Sequence, residues 1–113
     1  MIIINLKNFL ALSENTLFST YDPSGIFGEL EIKGETLDES AYKTSCNLAD
    51  NIHWDDYNHK LPHAEITGES MRVDIAGCQG EEWANDDQLF AVWEDQDIRD
   101  MIHRLGQCIK SPL

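Results

Sequence analysis

The alternation of apolar and polar positions divides the first third of the chain into a short helix and two strands. In the segment NLKNFLAL, Leu6, Phe9 and Leu10 stand at positions i, i+3 and i+4, which predicts a short helix. Asn5 is available as its N-cap, although the preceding MIIIN also fits a strand. Residues 16–21, TLFSTY, are rich in aromatic and β-branched side chains and are predicted to form a strand.

A tight turn follows that strand. In DPSG, residues 22–25, Pro is second and Gly fourth, which suits a type I turn. In the next strand, residues 26–34, Leu30 and Ile32 alternate with charged side chains. The sequence therefore predicts a β-hairpin with one apolar face.

The middle of the chain has a weaker pattern. Residues 41–50 fit either a short strand or a helical turn, and Pro62 disfavours a helical conformation at Leu61. Residues 70–77 alternate as a strand would, whereas residues 77–87 are predicted to be a loop rich in glycine and acids. The run QLFAVWE, residues 88–94, is almost continuously apolar and predicts a strand buried on both faces.

The last part of the chain predicts an amphipathic helix with Asp95 as its N-cap. Arg104 and Lys110 lie late in this segment, as the helix dipole prefers. One apolar stripe runs along it, formed by Ile98, Met101, Ile102, Leu105 and Ile109. Residues 1–113 are therefore predicted to be a single α+β domain. It would contain a small antiparallel sheet of about four strands, a short N-terminal helix and an amphipathic C-terminal helix packed on the sheet.

The net charge of the chain indicates which class of partner it could bind. The 113 residues include 21 acids and eight lysines and arginines, a formal net charge of −13. Seventeen of the acids and six of the bases lie in residues 34–113, so that part alone carries −11. Such a chain disfavours direct binding to nucleic acid or anionic lipid, because it lacks the cations that would neutralise phosphates. We expect either a solubilising surface or a surface that meets a basic partner.

The cellular compartment and the oxidation state of the cysteines are predicted from features that the sequence lacks. The longest apolar run, MIII, is four residues, far below the roughly 20 that a membrane-spanning helix needs, so a cytoplasmic protein is expected. Cys46, Cys78 and Cys108 are odd in number and form no CxxC pair, which favours reduced thiols. Cys108 is predicted to be a small core residue.

The stretch LSENTLFSTYDPSGIFGELEIKGETL, residues 12–37, resembles the opening of small acidic proteins encoded by phages and prophages. These share a TLF-x-x-Y-x-P…FG-x-L-x-IKGET-like hairpin, followed by a divergent acidic half and a final strand and helix. The similarity extends loosely to DDQLFAVWEDQDI, residues 86–98, and the central third departs from it. The resemblance assigns no activity and no site residues. It implies a mobile-element origin, and with it an inhibitor of a host or defence protein.

One segment, HWDDYNHKLPH, has the residue types of a metal site. A transition-metal site needs three or four ligands that converge on one point. Pro62 argues against the helix that would place His59 and His63 on one face, and HExxH is absent. We therefore predict no metal and no cofactor, and favour a polar loop with Trp54 and Tyr57 packed inward. The potential ligands are His53, Asp55, Asp56, His59 and His63.

Catalytic motifs are lacking. The sequence has no G-x-S-x-G, no cysteine-protease signature and no phosphate-binding glycine loop before a helix. Its paired carboxylates are adjacent, so on a strand they would point to opposite faces rather than into one cleft. We predict that the protein is not an enzyme.

Aromatic side chains among acids are typical of protein interfaces, where a few Trp and Tyr side chains dominate the binding energy and charges steer the encounter. Two segments have this composition, and their tryptophans could alternatively be core residues. The predicted partner-binding residues are Glu81, Glu82, Trp83, Asp86 and Asp87 in one segment and Trp54, Asp55, Asp56 and Tyr57 in the other.

The sequence thus predicts a non-enzymatic inhibitor of phage type. Its acidic surface would bind a basic protein, at the nucleic-acid-binding site of a bacterial defence nuclease complex, as an anti-CRISPR or anti-restriction protein does. One alternative is an immunity protein that neutralises a cognate toxin nuclease. Another is a metal-dependent enzyme that uses residues 53–63.

Overall fold

The structure, a computed structural model, describes residues 1–45, 58–71 and 80–111. Within these residues the chain forms a seven-stranded sheet and three helices, which confirms the α+β class. About four strands were expected. The larger number arises because residues 2–5, 41–45 and 80–83 also pair, and because the strand predicted over residues 26–34 is interrupted at residues 28–30. In chain order the elements are β1 (Ile2–Asn5), α1 (Leu6–Leu10), β2 (Thr16–Asp22), β3 (Ile26–Phe27), β4 (Glu31–Thr36), β5 (Ala41–Ser45), α2 (Lys60–Thr67), β6 (Gly80–Trp83), β7 (Leu89–Val92) and α3 (Asp95–Gly106).

All described strand pairs are antiparallel. The strand order is β1-β7-β2-β4-β5-β6, and the short β3 pairs with β2 beside this path. The predicted turn is present, since the Gly25 backbone N–H donates to the Asp22 carbonyl at 2.9 Å. The apolar run near the C-terminus forms β7 in the interior of the sheet, which explains why Phe90, Ala91 and Val92 are all buried.

The core is an aromatic cluster between α1 and one face of the sheet. The Phe9 ring of α1 stacks on Phe90 at 3.9 Å between centroids and meets Phe18 and Tyr42 edge-on at 4.7 and 5.1 Å. Tyr42 and Phe90 lie on β5 and β7, three strand positions apart, or about 14 Å in a flat sheet. Their ring centroids are 6.0 Å apart, and both rings contact Phe9, so the Phe9 side chain joins these two strands. A register shift between Lys33 and Thr36 provides an irregularity of the kind that bends a strand.

The hairpin has its charged face in the core. Glu31 pairs with Phe18 and Lys33 with Thr16, so both charged side chains share the core face of the sheet and are buried. Ile32 lies on the opposite face and is only half-buried. The predicted apolar face of the hairpin therefore exists, but the principal core lies on its other side.

Buried Lys33 is accommodated by neutral acceptors. Its Nζ donates to the carbonyl oxygens of Leu12 and Gly34, both at 3.0 Å, and to Thr36 Oγ1 at 2.8 Å. It also lies 5.7 Å from the centroid of the Phe9 ring. Burial lowers the pKa of Lys33, because removal from water disfavours the charged form. The three bonds use all the donors of the ammonium group.

The helix N-caps agree with prediction in one case and differ in the other. Asn5 caps α1, because its Oδ1 accepts from the Asn8 backbone N–H at 2.9 Å. The N-cap of α3 is Glu94, so the assignment of Asp95 as the cap was wrong by one residue. Asp97 supports this end as the third helical residue, since its Oδ2 accepts from the Glu94 N–H at 2.9 Å.

Three other local predictions were wrong. Leu61 and Pro62 lie inside α2, at its first turn, where backbone N–H groups have no intrahelical partner and proline costs little. The predicted loop over residues 77–87 contains β6, because its backbone pairs with β5. Cys108 is exposed just beyond α3 rather than buried.

The predicted strand at residues 70–77 lies largely outside the described residues, and Met71 at its start is not in a strand. No helix within residues 1–45, 58–71 and 80–111 is long and apolar enough to cross a membrane.

The α3 capping arrangement predicts a pH-dependent stability. Hydrogen bonds from the Met1 amino group and from the Glu94 N–H lower the pKa of Asp97 from 3.8. A depressed carboxyl pKa stabilises the folded state above the unfolded pKa, and that stabilisation is lost as the pH falls through the folded pKa. We expect Asp97→Asn to lower the melting temperature at neutral pH, and the difference from wild type to shrink below 3.8.

Thermal melts at a series of pH values check this expectation. Asp95→Asn is the matched control, since it removes an acid from the same helical turn without touching the capping box. A deficit for Asp97→Asn that stays constant down to acidic pH would contradict the assigned role.

Candidate interaction surface

The predicted residues of β6 do not share a face. The register pairs Trp83 with Ala41 and Glu81 with Lys43, whereas Glu82 pairs with Tyr42 and so points to the core side. Trp83 is 67% exposed, which excludes a core role for its side chain. The strand thus offers Trp83 and Glu81 on one face of the sheet.

The two aspartates after β6 also diverge. They lie in a turn closed by a bond from the Gln88 N–H to the Asn85 carbonyl at 3.0 Å. Asp86 borders a groove against α1, and Asp87 borders a different depression on the side of the β2–β3 turn. The predicted acidic segment is therefore divided among several surfaces rather than forming one patch.

The groove that contains Asp86 gathers acids from separate parts of the chain. It has a volume of about 760 Å³ and lies between α1 and the turn that joins β4 to β5. Three acids and one lysine border it, a net charge of −2, and Leu6, Leu10 and Ala11 are apolar residues of its lining. We call this the acidic groove, lined by Asn5, Leu6, Lys7, Leu10, Ala11, Thr36, Asp38, Glu39 and Asp86.

Hydrogen bonds of the backbone explain why Asp38, Glu39 and Asp86 border the same groove. Asp38 Oδ1 accepts from the Ser40 N–H at 2.9 Å, which shapes the β4–β5 turn and sets Glu39 within it. The Ala84 N–H donates to the Ser40 carbonyl at 2.9 Å and so holds the segment after β6 against the same turn. This bond brings Asp86 to the groove that Asp38 and Glu39 border.

The wall of the acidic groove is tied to the buried lysine. Thr36 Oγ1 donates to the Leu10 carbonyl at 2.7 Å and accepts from Lys33 Nζ. This chain of bonds fixes the end of β4 against α1. Lys33 is therefore a positioning residue for the groove rather than part of its surface.

A second, smaller depression is also acidic. Asp22 and Asp87 both border it, and its volume is about 390 Å³. Asp22 Oδ1 accepts from the Ser24 N–H at 3.0 Å and from Ser24 Oγ at 2.7 Å. These bonds lower the pKa of Asp22, so its carboxylate is ionised at neutral pH.

The aromatic and acidic residues predicted in the central segment, Trp54, Asp55, Asp56 and Tyr57, lie outside the described residues, as does His53. His63 is described on α2, with its Nε2 3.1 Å from Glu69 Oε2. In the described part of the chain, no three His, Cys, Asp or Glu side chains are grouped so that they could hold a metal ion.

Sequence reasoning missed Asp38 and Glu39. Both are exposed acids in a turn, and no local pattern distinguishes them from other exposed acids of this chain. Only the pairing of β5 with β6, and the bond from Ala84 to Ser40, make them neighbours of Asp86.

Comparison with known proteins gives no relative: no protein-family model, no curated protein and no solved structure matches this chain. The acidic groove is therefore interpreted from its own chemistry. Apolar lining residues can accept the aliphatic stem of a lysine or arginine, and carboxylates of the same groove can accept hydrogen bonds from its charged head.

Proposed function

We propose that the protein is a non-enzymatic inhibitor that occupies a basic, nucleic-acid-binding surface of another protein. The observation that supports this is the acidic groove, which Asp38 and Glu39 from one turn and Asp86 from another border together with apolar side chains. Lysine and arginine side chains that hold a phosphate backbone have the same chemistry as the side chains this groove would accept.

The overall charge supports the same partner class. A net charge of −13 on 113 residues creates a long-range field that attracts a basic surface and accelerates encounter. The groove then adds short-range specificity, because the Asp38 carboxylate is held by the Ser40 N–H and the segment before Asp86 is held against the β4–β5 turn.

The target class follows from the resemblance of residues 12–37 to phage and prophage proteins. A mobile element gains from blocking the nucleases that destroy its genome. We therefore propose a bacterial defence nuclease complex as the target, with the protein acting as an anti-CRISPR or anti-restriction inhibitor.

Neutralising the groove tests this proposal. The triple variant D38N/E39Q/D86N removes three charges while keeping similar side-chain shapes. We expect it to lower the association rate constant with the target by about tenfold, since charge steers the encounter. The measurement is affinity capture from a bacterial lysate, followed by surface plasmon resonance on the purified partner.

The matched control is E29Q/E65Q/D95N, which removes three exposed acids that do not border the acidic groove. It should retain most of the binding. Capture of an acidic partner, or equal loss of binding by the control, would overturn the assignment of the groove.

A further inference from the structure

The two sides of the acidic groove come from distant parts of the sequence. Helix α1 supplies one side, and the end of β4 with the turn that follows it supplies the other. Asp38 and Glu39 stand two and three residues after Thr36, the last residue of β4. The position of these acids relative to α1 therefore depends on how Thr36 is held against the helix.

The C-terminal end of α1 needs hydrogen-bond donors from outside the helix. Helix α1 has five residues, far fewer than the roughly 12 that an isolated helix needs in water. The last carbonyl oxygens of a helix have no partner within it. Thr36 Oγ1 donates to the Leu10 carbonyl at 2.7 Å, and Lys33 Nζ donates to the Leu12 carbonyl, just beyond the helix, at 3.0 Å. Two side chains of β4 thus hold the end of α1.

The hydroxyl group of Thr36 has a defined orientation. The Lys33 ammonium group can only donate, and its Nζ lies 2.8 Å from Thr36 Oγ1, so the hydroxyl oxygen accepts this bond. The single hydrogen of the hydroxyl is then left for the Leu10 carbonyl. Because Leu10 and Thr36 both line the acidic groove, this bond joins its two sides directly.

We propose that Thr36 is a positioning residue for partner binding, and that its hydroxyl sets the separation between the two sides of the acidic groove before a partner arrives. This inference rests on the proposed function of the groove. Thr36 is uncharged, so it adds nothing to the attraction between the groove and a basic partner. Its bond to Leu10 orders the groove in advance, and an ordered groove binds more tightly because less conformational freedom is lost on binding.

The salt dependence of binding separates this role from that of the acids. Salt screens the attraction between charges, so the contribution of Asp38, Glu39 and Asp86 weakens as the salt concentration rises. The contribution of a neutral hydroxyl that holds the groove in shape does not depend on screening. Loss of the Thr36 hydroxyl should therefore weaken binding by a similar factor at every salt concentration.

Three substitutions of threonine isolate the hydroxyl. T36V removes it and keeps the branched shape of the side chain, and we expect the dissociation constant for a basic ligand to rise by about fivefold, as for the net loss of one hydrogen bond. T36S keeps the hydroxyl and should bind like wild type. T67V is the matched control, because it removes the 2.8 Å bond from Thr67 Oγ1 to the His63 carbonyl on α2, away from the acidic groove.

The probe is a fluorescently labelled oligo-arginine peptide, whose guanidinium groups represent the basic side chains of a partner. Fluorescence anisotropy gives its dissociation constant over a range of salt concentrations. D38N/E39Q/D86N should weaken binding most at low salt, whereas T36V should weaken it by about fivefold throughout. Circular dichroism confirms that each variant is folded. If T36V is not, T36A removes the same hydroxyl without placing a methyl group against Lys33 Nζ, and its binding should be weakened in the same way.

The outcomes distinguish this inference from the proposed function. A D38N/E39Q/D86N protein that binds the peptide like wild type would overturn the proposed function of the groove, and the positioning role with it. Weakened binding by that variant together with wild-type binding by T36V would overturn the positioning role alone. A T36V effect that T36S or T67V shares, or that disappears at high salt, would also overturn the positioning role.

Discussion

Replacement of Phe9 by alanine is expected to lower the free energy of unfolding by about 3–5 kcal/mol, the range for deleting a fully buried phenylalanine side chain. Phe9 is completely buried and its ring contacts those of Phe18, Tyr42 and Phe90. It is also one of two buried residues on α1, a five-residue helix that cannot be stable by itself. Loss of the ring should therefore both open a cavity and detach the helix.

Urea denaturation followed by tryptophan fluorescence measures this loss. Phe27→Ala makes the same chemical change at an exposed position that contacts Tyr21 and Trp93. It should cost about 1 kcal/mol, as expected for aromatic contacts near solvent. Similar losses in both variants would show that the aromatic cluster around Phe9 is not the principal core.

Replacement of Lys33 by methionine is expected to lower the free energy of unfolding at pH 7 by about 2 kcal/mol. Methionine preserves the buried stem but leaves the Leu12 and Gly34 carbonyls without the donor that they have in the wild type. Relief of ammonium desolvation offsets part of this cost, which is why the expected loss is smaller than that for Phe9.

The pH dependence of this loss follows from the lowered pKa of Lys33. Above its folded pKa the unfolded chain binds more protons at this site, so wild-type stability gains with rising pH until the unfolded pKa of 10.5 is passed. The methionine variant lacks that gain, and its deficit should therefore grow between neutral and alkaline pH.

Urea denaturation at a series of pH values measures the deficit, with Lys43→Met as the control. Lys43 lies on β5 opposite Glu81 and is only half-buried, so its loss should cost less than about 1 kcal/mol. A Lys33→Met protein more stable than wild type at pH 7 would mean that the three bonds of the ammonium group do not compensate for its desolvation.

The elements that sequence reasoning predicted are those with a strong local pattern. Helix α1 has its N-cap and apolar spacing within six residues, and β7 is an uninterrupted apolar run. Strand β6 has the sequence GEEW, which shows no apolar alternation, and it exists because its backbone pairs with β5. Its formation is a tertiary effect that no local rule contains.

The burial of Lys33 was unpredictable for a related reason. A lysine is rarely buried, and this one is tolerated because carbonyl and hydroxyl oxygens from three places in the fold surround its Nζ. The acidic groove likewise depends on contacts between distant parts of the chain. Asp86 was identified from sequence, but its partners Asp38 and Glu39 become neighbours only through the folded arrangement of two turns.

We propose that the acidic groove and a nucleic acid compete for one basic surface of the partner protein. The most direct measurement titrates the purified partner, loaded with fluorescently labelled nucleic acid, with this protein. We expect release of the label as the protein binds, and a roughly tenfold higher concentration for half-release with D38N/E39Q/D86N. A stable complex that contains the protein, its partner and the nucleic acid together would contradict it.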